Sequence, residues 1–126
     1  MARRERVWAG IGICSPEEMS LTELTTILSA LGLTQADLAH ATGASERLVR
    51  NWKKASAIRP EYEERLRDVR DIALILRDSL TPRGVGQWLR ARNRMLGGRR
   101  PLELIHEGDL ARVREAALAF VDGAYV

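Results

Sequence analysis

LTQADLAHATGASERLVRNW, residues 33–52, holds two short helical patterns on either side of Thr42-Gly43-Ala44. Each carries its own start signal. Leu33 and Leu38 make a hydrophobic staple around Thr34, and Asp37 at the third helical position closes a capping box. This predicts a helix from Gln35 to about Ala41. Ser45 caps a second helix that is expected to end near Lys53. Between them, Gly43 is the turn residue expected to need a positive φ. Counted from Gln35, Leu38 is the first core residue and Ala39 the small residue where the helices touch. Val49 is the core residue of the second helix and Trp52 its closing contact. That is the frame of a helix–turn–helix.

The outward positions of the second helix are polar and basic. Ser45, Glu46, Arg47, Arg50, Asn51 and Lys54 face away from the core, with Lys53 beside them. Arginine and asparagine are the side chains that read guanine and adenine edges in the major groove. Gln35, at the positive end of the preceding helix, faces the phosphate backbone in such docking. The candidate DNA-contact set is therefore Gln35, Ser45, Glu46, Arg47, Arg50, Asn51, Lys53 and Lys54. The same residues also fit a helical hairpin whose basic face meets only water.

The pattern extends in both directions. Upstream, Ser20 and Glu23 form a capping box with Met19 and Leu24 as its staple, opening a helix over 21–31 that Gly32 stops. Residues 1–18 read as a loosely ordered basic arm. Downstream, Pro60 opens a long helix with the stripe Tyr62, Leu66, Val69, Ala73, Leu76 and Leu80. Its Ile72–Leu76 stretch is apolar nearly all round, which predicts burial on two sides. A short helix follows at 85–90 with Trp88 and Leu89, then a break at Asn93 and Gly97-Gly98. Pro101 opens another short helix closed by Gly108, and Asp109 is expected to cap the last helix, 110–121. Nothing alternates with period two for long enough to make a strand. The expected fold is all-α: a helix–turn–helix lobe over 19–80, joined by the long helix to a small helical lobe over 81–126.

Composition agrees. Leucine and alanine total 33 of the 126 residues against 14 valine and isoleucine, a balance that favours helix. Low-complexity, repeat and disulfide-scaffold classes are excluded. The single Cys14 cannot form an internal disulfide, so a cytoplasmic setting is expected, and no run approaches the roughly 18 apolar residues of a membrane span. Net charge is only +3, yet 45–59 holds five cations and one anion, and 83–100 holds six arginines and no carboxylate. Such local clusters point to polyanions or an acidic partner surface. His40 and His106 lie on separate helices without a nucleophile–acid partner nearby, and Cys14 has no ligand at metal spacing. No enzyme activity, metal or cofactor is expected.

Residues 34–52 resemble an Xre-type helix–turn–helix. Gly84-Val85-Gly86-Gln87-Trp88-Leu89, then Asn93-Arg94-Met95-Leu96-Gly97-Gly98-Arg99-Arg100-Pro101-Leu102-Glu103-Leu104, then the terminal Gly123-Ala124-Tyr125-Val126, resemble the Xre/MbcA/ParS toxin-binding domain. Arg92 departs from the family, which usually has proline there. Together the two parts resemble the antitoxins of RES–Xre toxin–antitoxin pairs. The resemblance implies a protein that sequesters an NAD-degrading RES-domain toxin, with the C-terminal end reaching towards the toxin's active-site cleft. It also implies repression of its own operon, for which a homodimer is expected because two-fold operators need paired helix–turn–helix units. The toxin-binding residues it implies are Trp88, Asn93, Arg94, Arg99, Tyr125 and Val126. Two other functions stay open on the residues: a stand-alone transcriptional regulator, and a toxin-binding antitoxin without DNA binding.

Overall fold

The computed structural model describes residues 21–52 and 58–123. The arm at 1–18, the Ser20 cap, Lys53, Lys54, Tyr125 and Val126 lie outside the described residues. Helix α1 spans Leu21–Ala30, α2 Gln35–Thr42, α3 Glu46–Asn51, α4 Pro60–Leu76, α5 Pro82–Arg90, α6 Pro101–His106 and α7 Leu110–Val121. A single 3₁₀ turn, Arg94–Leu96, lies between α5 and α6. Among the described residues the chain is all-helical, with one isolated antiparallel bridge between Asn93 and Arg99.

Local signals place most helix ends. The Thr34 hydroxyl accepts from the Asp37 N–H at 3.1 Å, and the Asp37 carboxylate accepts from the Thr34 N–H at 2.9 Å. This reciprocal cap starts α2. Gly43, at φ 82°, ends it by donating to the Ala39 carbonyl. The Thr42 hydroxyl donates to the Leu38 carbonyl at 2.7 Å and accepts from the Ala44 N–H at 3.2 Å, which closes the turn. Ser45 then caps α3 through the Leu48 N–H at 3.1 Å.

Four local details differ from expectation. Helix α4 ends at Leu76, so Leu80 of its expected stripe lies beyond it. Helix α5 begins at Pro82, because Thr81 accepts from the Gly84 N–H at 3.2 Å and Pro82 supplies a pre-set first position. Its glycines had masked that start. Helix α3 ends at Asn51, a residue or two early, since Trp52 turns under it to bury its ring. Asp109 stands at the start of α7 without a side-chain cap, its carboxylate lying 3.7 Å from Arg112 instead.

Helix α4 is the axis of the core. Leu66, Val69, Ile72, Ala73 and Leu76 are buried, and the helix packs on α1, α2, α6 and α7. The apolar stretch at 72–76 is needed because this helix has neighbours on several sides. Each fully buried leucine or isoleucine there contributes roughly 1.5–3 kcal/mol relative to exposure. The core runs without interruption from the helix–turn–helix segment into the C-terminal segment.

Three contacts fasten α5 and α6 to the helix–turn–helix. A Cβ on Gly86 would stand 1.9 Å from the Leu31 carbonyl oxygen, so only glycine lets α5 approach the end of α1. Arg90 donates to the Gly32 carbonyl at 3.1 Å, and its buried Nε lies 3.4 Å from the Asp37 carboxylate. The latter distance gives charge attraction without hydrogen-bond alignment. From α6, the His106 imidazole covers Gly43.

Candidate functional site

Two surfaces carry the residues singled out by sequence. The first is α3. Val49 and Trp52 are buried beneath it, and Trp52 packs on Tyr62 of α4 with ring centroids 5.8 Å apart. The Arg59 guanidinium also lies over the Tyr62 ring, 5.9 Å from its centroid. With that face buried, Ser45, Glu46, Arg47, Arg50 and Asn51 are all exposed. Arg50 Nε reaches Gln35 Oε1 at 3.5 Å, so the start of α2 and the middle of α3 form one polar surface. Among the described residues, no carboxylate pairs with Arg47 or Arg50. Leu48 is 43% exposed in the same helix, an apolar residue that the pattern of core positions did not single out.

The second surface is a groove of about 420 Å³ between the end of α5 and the 3₁₀ turn, lined by Trp88, Ala91, Arg92, Asn93, Arg94 and Met95. Its far wall is built by the loop. The Asn93 side chain accepts from the Met95 N–H at 2.9 Å, while its backbone N–H donates to Arg99 and its carbonyl accepts from Gly98, both at 2.9 Å. Gly97 and Gly98, at φ 68° and 81°, make the reversal that brings Arg99 back beside Asn93. Buried Leu96 anchors the turn against α7. Trp88 meets Phe120 of α7 with ring centroids 6.5 Å apart. Met95, 46% exposed, stands between this groove and a second notch of about 260 Å³ lined by Arg112, Glu115, Ala116 and Ala119 of α7.

The six arginines of 83–100 divide into two groups. Arg99 forks onto Glu107, with Nη1 at 2.9 Å from Oε1 and Nη2 bonded to Oε2, and lies 3.7 Å from Glu103. Those hydrogen bonds hold the Glu107 carboxyl below its ordinary range and raise the Arg99 guanidinium. Arg100 is 4.0 Å from Glu103, and Arg90 faces Asp37. Arg83, Arg92 and Arg94 are exposed, and none has a carboxylate partner among the described residues. Arg92 makes only a long bond of 3.5 Å to the Gly98 carbonyl.

Of the six residues expected to bind a toxin, the fold brings Trp88, Asn93 and Arg94 together in one groove. Arg99 pairs with Glu107 and so clasps the loop. Sequence reasoning passed over Met95 and Arg92. The only available signal was their place beside Asn93 and Arg94, since a 3₁₀ turn has no amphipathic period to show which side chain stands out. Among the described residues no cluster of ligating side chains fits a metal, and no helix is long and apolar enough to cross a membrane.

Residues 76–116, which include the whole groove, match the model of the antitoxin Xre/MbcA/ParS C-terminal toxin-binding domain. The "Probable mycobacterial cidal antitoxin Rv3188" of Mycobacterium tuberculosis is 50% identical over 105 residues, covering 83% of this chain and 90% of that protein. The mycobacterial cidal antitoxin MbcA of Mycobacterium bovis is 27% identical over 100 residues, or 79% of this chain and 88% of that one. Among solved structures, a chain in the crystal structure of the M. tuberculosis MbcT–MbcA toxin–antitoxin complex superposes with a TM-score of 0.70. It is 26% identical, and the match covers 84% of this chain and 97% of that one.

Proposed function

Because the chain belongs to the Xre/MbcA/ParS family of antitoxins, we propose that it binds and neutralises a cognate RES-domain, NAD-degrading toxin in the cytoplasm. The observation that carries this reading is the position of the groove. The segment matching the toxin-binding domain contains Trp88, Asn93, Arg94 and Met95 on one exposed surface. Tryptophan, methionine and arginine are the residue types enriched where proteins meet. Helix α7 ends at Val121, and Gly123 after it has a φ of 72°. In this mechanism Tyr125 and Val126 enter the toxin's active-site cleft and block substrate entry, while the groove holds the two proteins together. Residues 81–126 are thus assigned to the toxin.

Residues 19–80 are assigned to operator DNA, bound by a homodimer. Support comes from the exposed α3 face, where Arg47 and Arg50 have no carboxylate partner among the described residues and Arg50 is linked to Gln35. One observation favours a second reading, in which toxin binding stands and operator binding does not. Glu46 lies exposed in the first turn of α3, where it would repel phosphates.

The test of the main reading is co-expression with a RES-domain toxin. Co-purification of the two and protection of cellular NAD support it; separate elution with unchanged NAD loss overturns it. Gel shifts over a salt series settle the DNA part, since specific binding persists with a slope of about one unit per phosphate contact. Deleting Tyr125-Val126 tests the tail: the account expects neutralisation to fail.

A further inference from the structure

We propose that the Trp88–Met95 groove receives an acidic segment of the toxin that carries an apolar side chain. The proposal rests on the toxin-binding reading above and names the chemistry of the surface that would be bound. Its apolar element is Trp88, half-buried against Phe120, with the exposed Met95 at its rim. The volume of about 420 Å³ falls within the roughly 300–1,000 Å³ typical of pockets that enclose a ligand group.

The charge on the rim is what sets the partner. Glu103 and Glu107, the carboxylates nearest the loop in sequence, are occupied by Arg99 and Arg100. The Arg92 and Arg94 side chains beside the groove therefore keep their positive charge uncompensated among the described residues. Arg92 and Arg94, two residues apart in the loop, carry like charges that repel each other, and an incoming carboxylate reduces that repulsion. Arginine's planar fork suits carboxylates in a bidentate contact. A nucleic-acid backbone would satisfy the two guanidinium groups but leave Met95 against phosphate. An acidic peptide with one apolar anchor satisfies the charges and covers the methionine together.

The experiment measures the affinity of the full chain for the RES-domain toxin with which it co-purifies. It compares wild type with Arg92→Glu/Arg94→Glu, Met95→Glu and Arg94→Lys. All substituted side chains are exposed, and matching thermal unfolding curves confirm that each variant folds. The double reversal is expected to weaken toxin binding about a hundredfold, because like charges juxtaposed across an interface cost several kcal/mol. Met95→Glu is expected to lose about tenfold, and Arg94→Lys, which keeps the charge but not the planar fork, roughly fivefold. Salt should weaken wild-type binding more steeply than that of the double variant. Unchanged toxin affinity in the double reversal overturns the proposal while leaving the antitoxin reading intact. Loss of operator affinity or of the dimer without loss of toxin binding also overturns it, assigning the groove to DNA or to a second copy. Failure of wild type to bind the toxin removes the parent reading itself.

Discussion

The α3 face and the loop between α5 and α6 both stand out in the sequence as basic clusters, and the fold treats them differently. On α3, Arg47 and Arg50 stay exposed with no carboxylate beside them among the described residues, and the nearest interaction is the 3.5 Å contact with Gln35. Of the six arginines from 83 to 100, three meet carboxylates of the chain itself: Arg90 faces Asp37, Arg99 bonds Glu107 and Arg100 lies beside Glu103. A run of charge therefore measures attraction to a partner only after the carboxylates supplied from outside the run are counted. Glu103 and Glu107 follow the loop within one helix, whereas Asp37 arrives from the helix–turn–helix. Those left without a carboxylate partner among the described residues are Arg83 in α5 and Arg92 and Arg94 in the loop.

The contrast can be broken most severely at the joint between the two regions. Gly86→Ala places a methyl group against the Leu31 carbonyl, at 1.9 Å in the unrelaxed geometry. Overpacking against rigid backbone is expected to cost about 3 kcal/mol, which denaturant unfolding would show as a lower midpoint. A stability within experimental error of wild type would mean that α5 does not press on α1 as described.

The next largest effect sharpens the division of labour. Arg47→Ala combined with Arg50→Ala is expected to reduce operator affinity about a hundredfold, at roughly 1–3 kcal/mol for each lost base contact, in a gel-shift assay. Toxin affinity should be unaltered. A parallel fall in toxin affinity would show that the two surfaces are not separable.

A smaller effect is expected at Asp37, which caps α2 and also faces Arg90. Asp37→Ala should destabilise the chain by about 1–2 kcal/mol, the usual range for a lost cap, again read by chemical unfolding. Restoring most of that loss with Asp37→Asn would identify the cap, rather than attraction to Arg90, as the larger part.

The smallest effect concerns the loop clasp. Arg99 holds the Glu107 carboxyl below its ordinary value of 4.5, so the pair stabilises the folded state wherever the unfolded carboxyl would be ionised. That contribution is complete above the ordinary range and is lost as pH falls through the lowered folded value. Hydrogen exchange at the Asn93 and Gly98 amides, which close the loop, should thus show unchanged protection from neutrality down to about pH 5 once corrected for the intrinsic rate. Protection should decline only in stronger acid. Glu107→Gln should abolish that acid dependence, and a titration midpoint for Glu107 at or above the ordinary carboxylate value would contradict the clasp.

The parts of this fold that could be read in advance are those set by neighbours in the chain. The Thr34–Asp37 cap, the Ser45 cap and the left-handed Gly43 follow from three- or four-residue patterns, and the buried stripe of α4 follows from helical period. Contacts across the fold were not legible. Nothing near Arg90 in sequence signals Asp37 or Gly32, and nothing near Gly43 signals His106. The site divides in the same way. Trp88, Asn93 and Arg94 were identified through a resemblance, and the fold gathers them. Arg99 looked equivalent to Arg94 until Glu107 was seen to face it. Met95 and Leu48 went unnoticed because short elements such as α3 and the 3₁₀ turn have too few residues for a period to show which apolar side chain stays outside.

The central claim is that toxin inhibition belongs to the C-terminal surface and does not need the α3 face. It is tested most directly by titrating purified RES toxin with either wild-type chain or the Arg47→Ala/Arg50→Ala variant and following NAD consumption. The account predicts that both stop NAD loss at the same stoichiometry. Continued NAD loss with wild type, or inhibition by wild type but not by the variant, would contradict it.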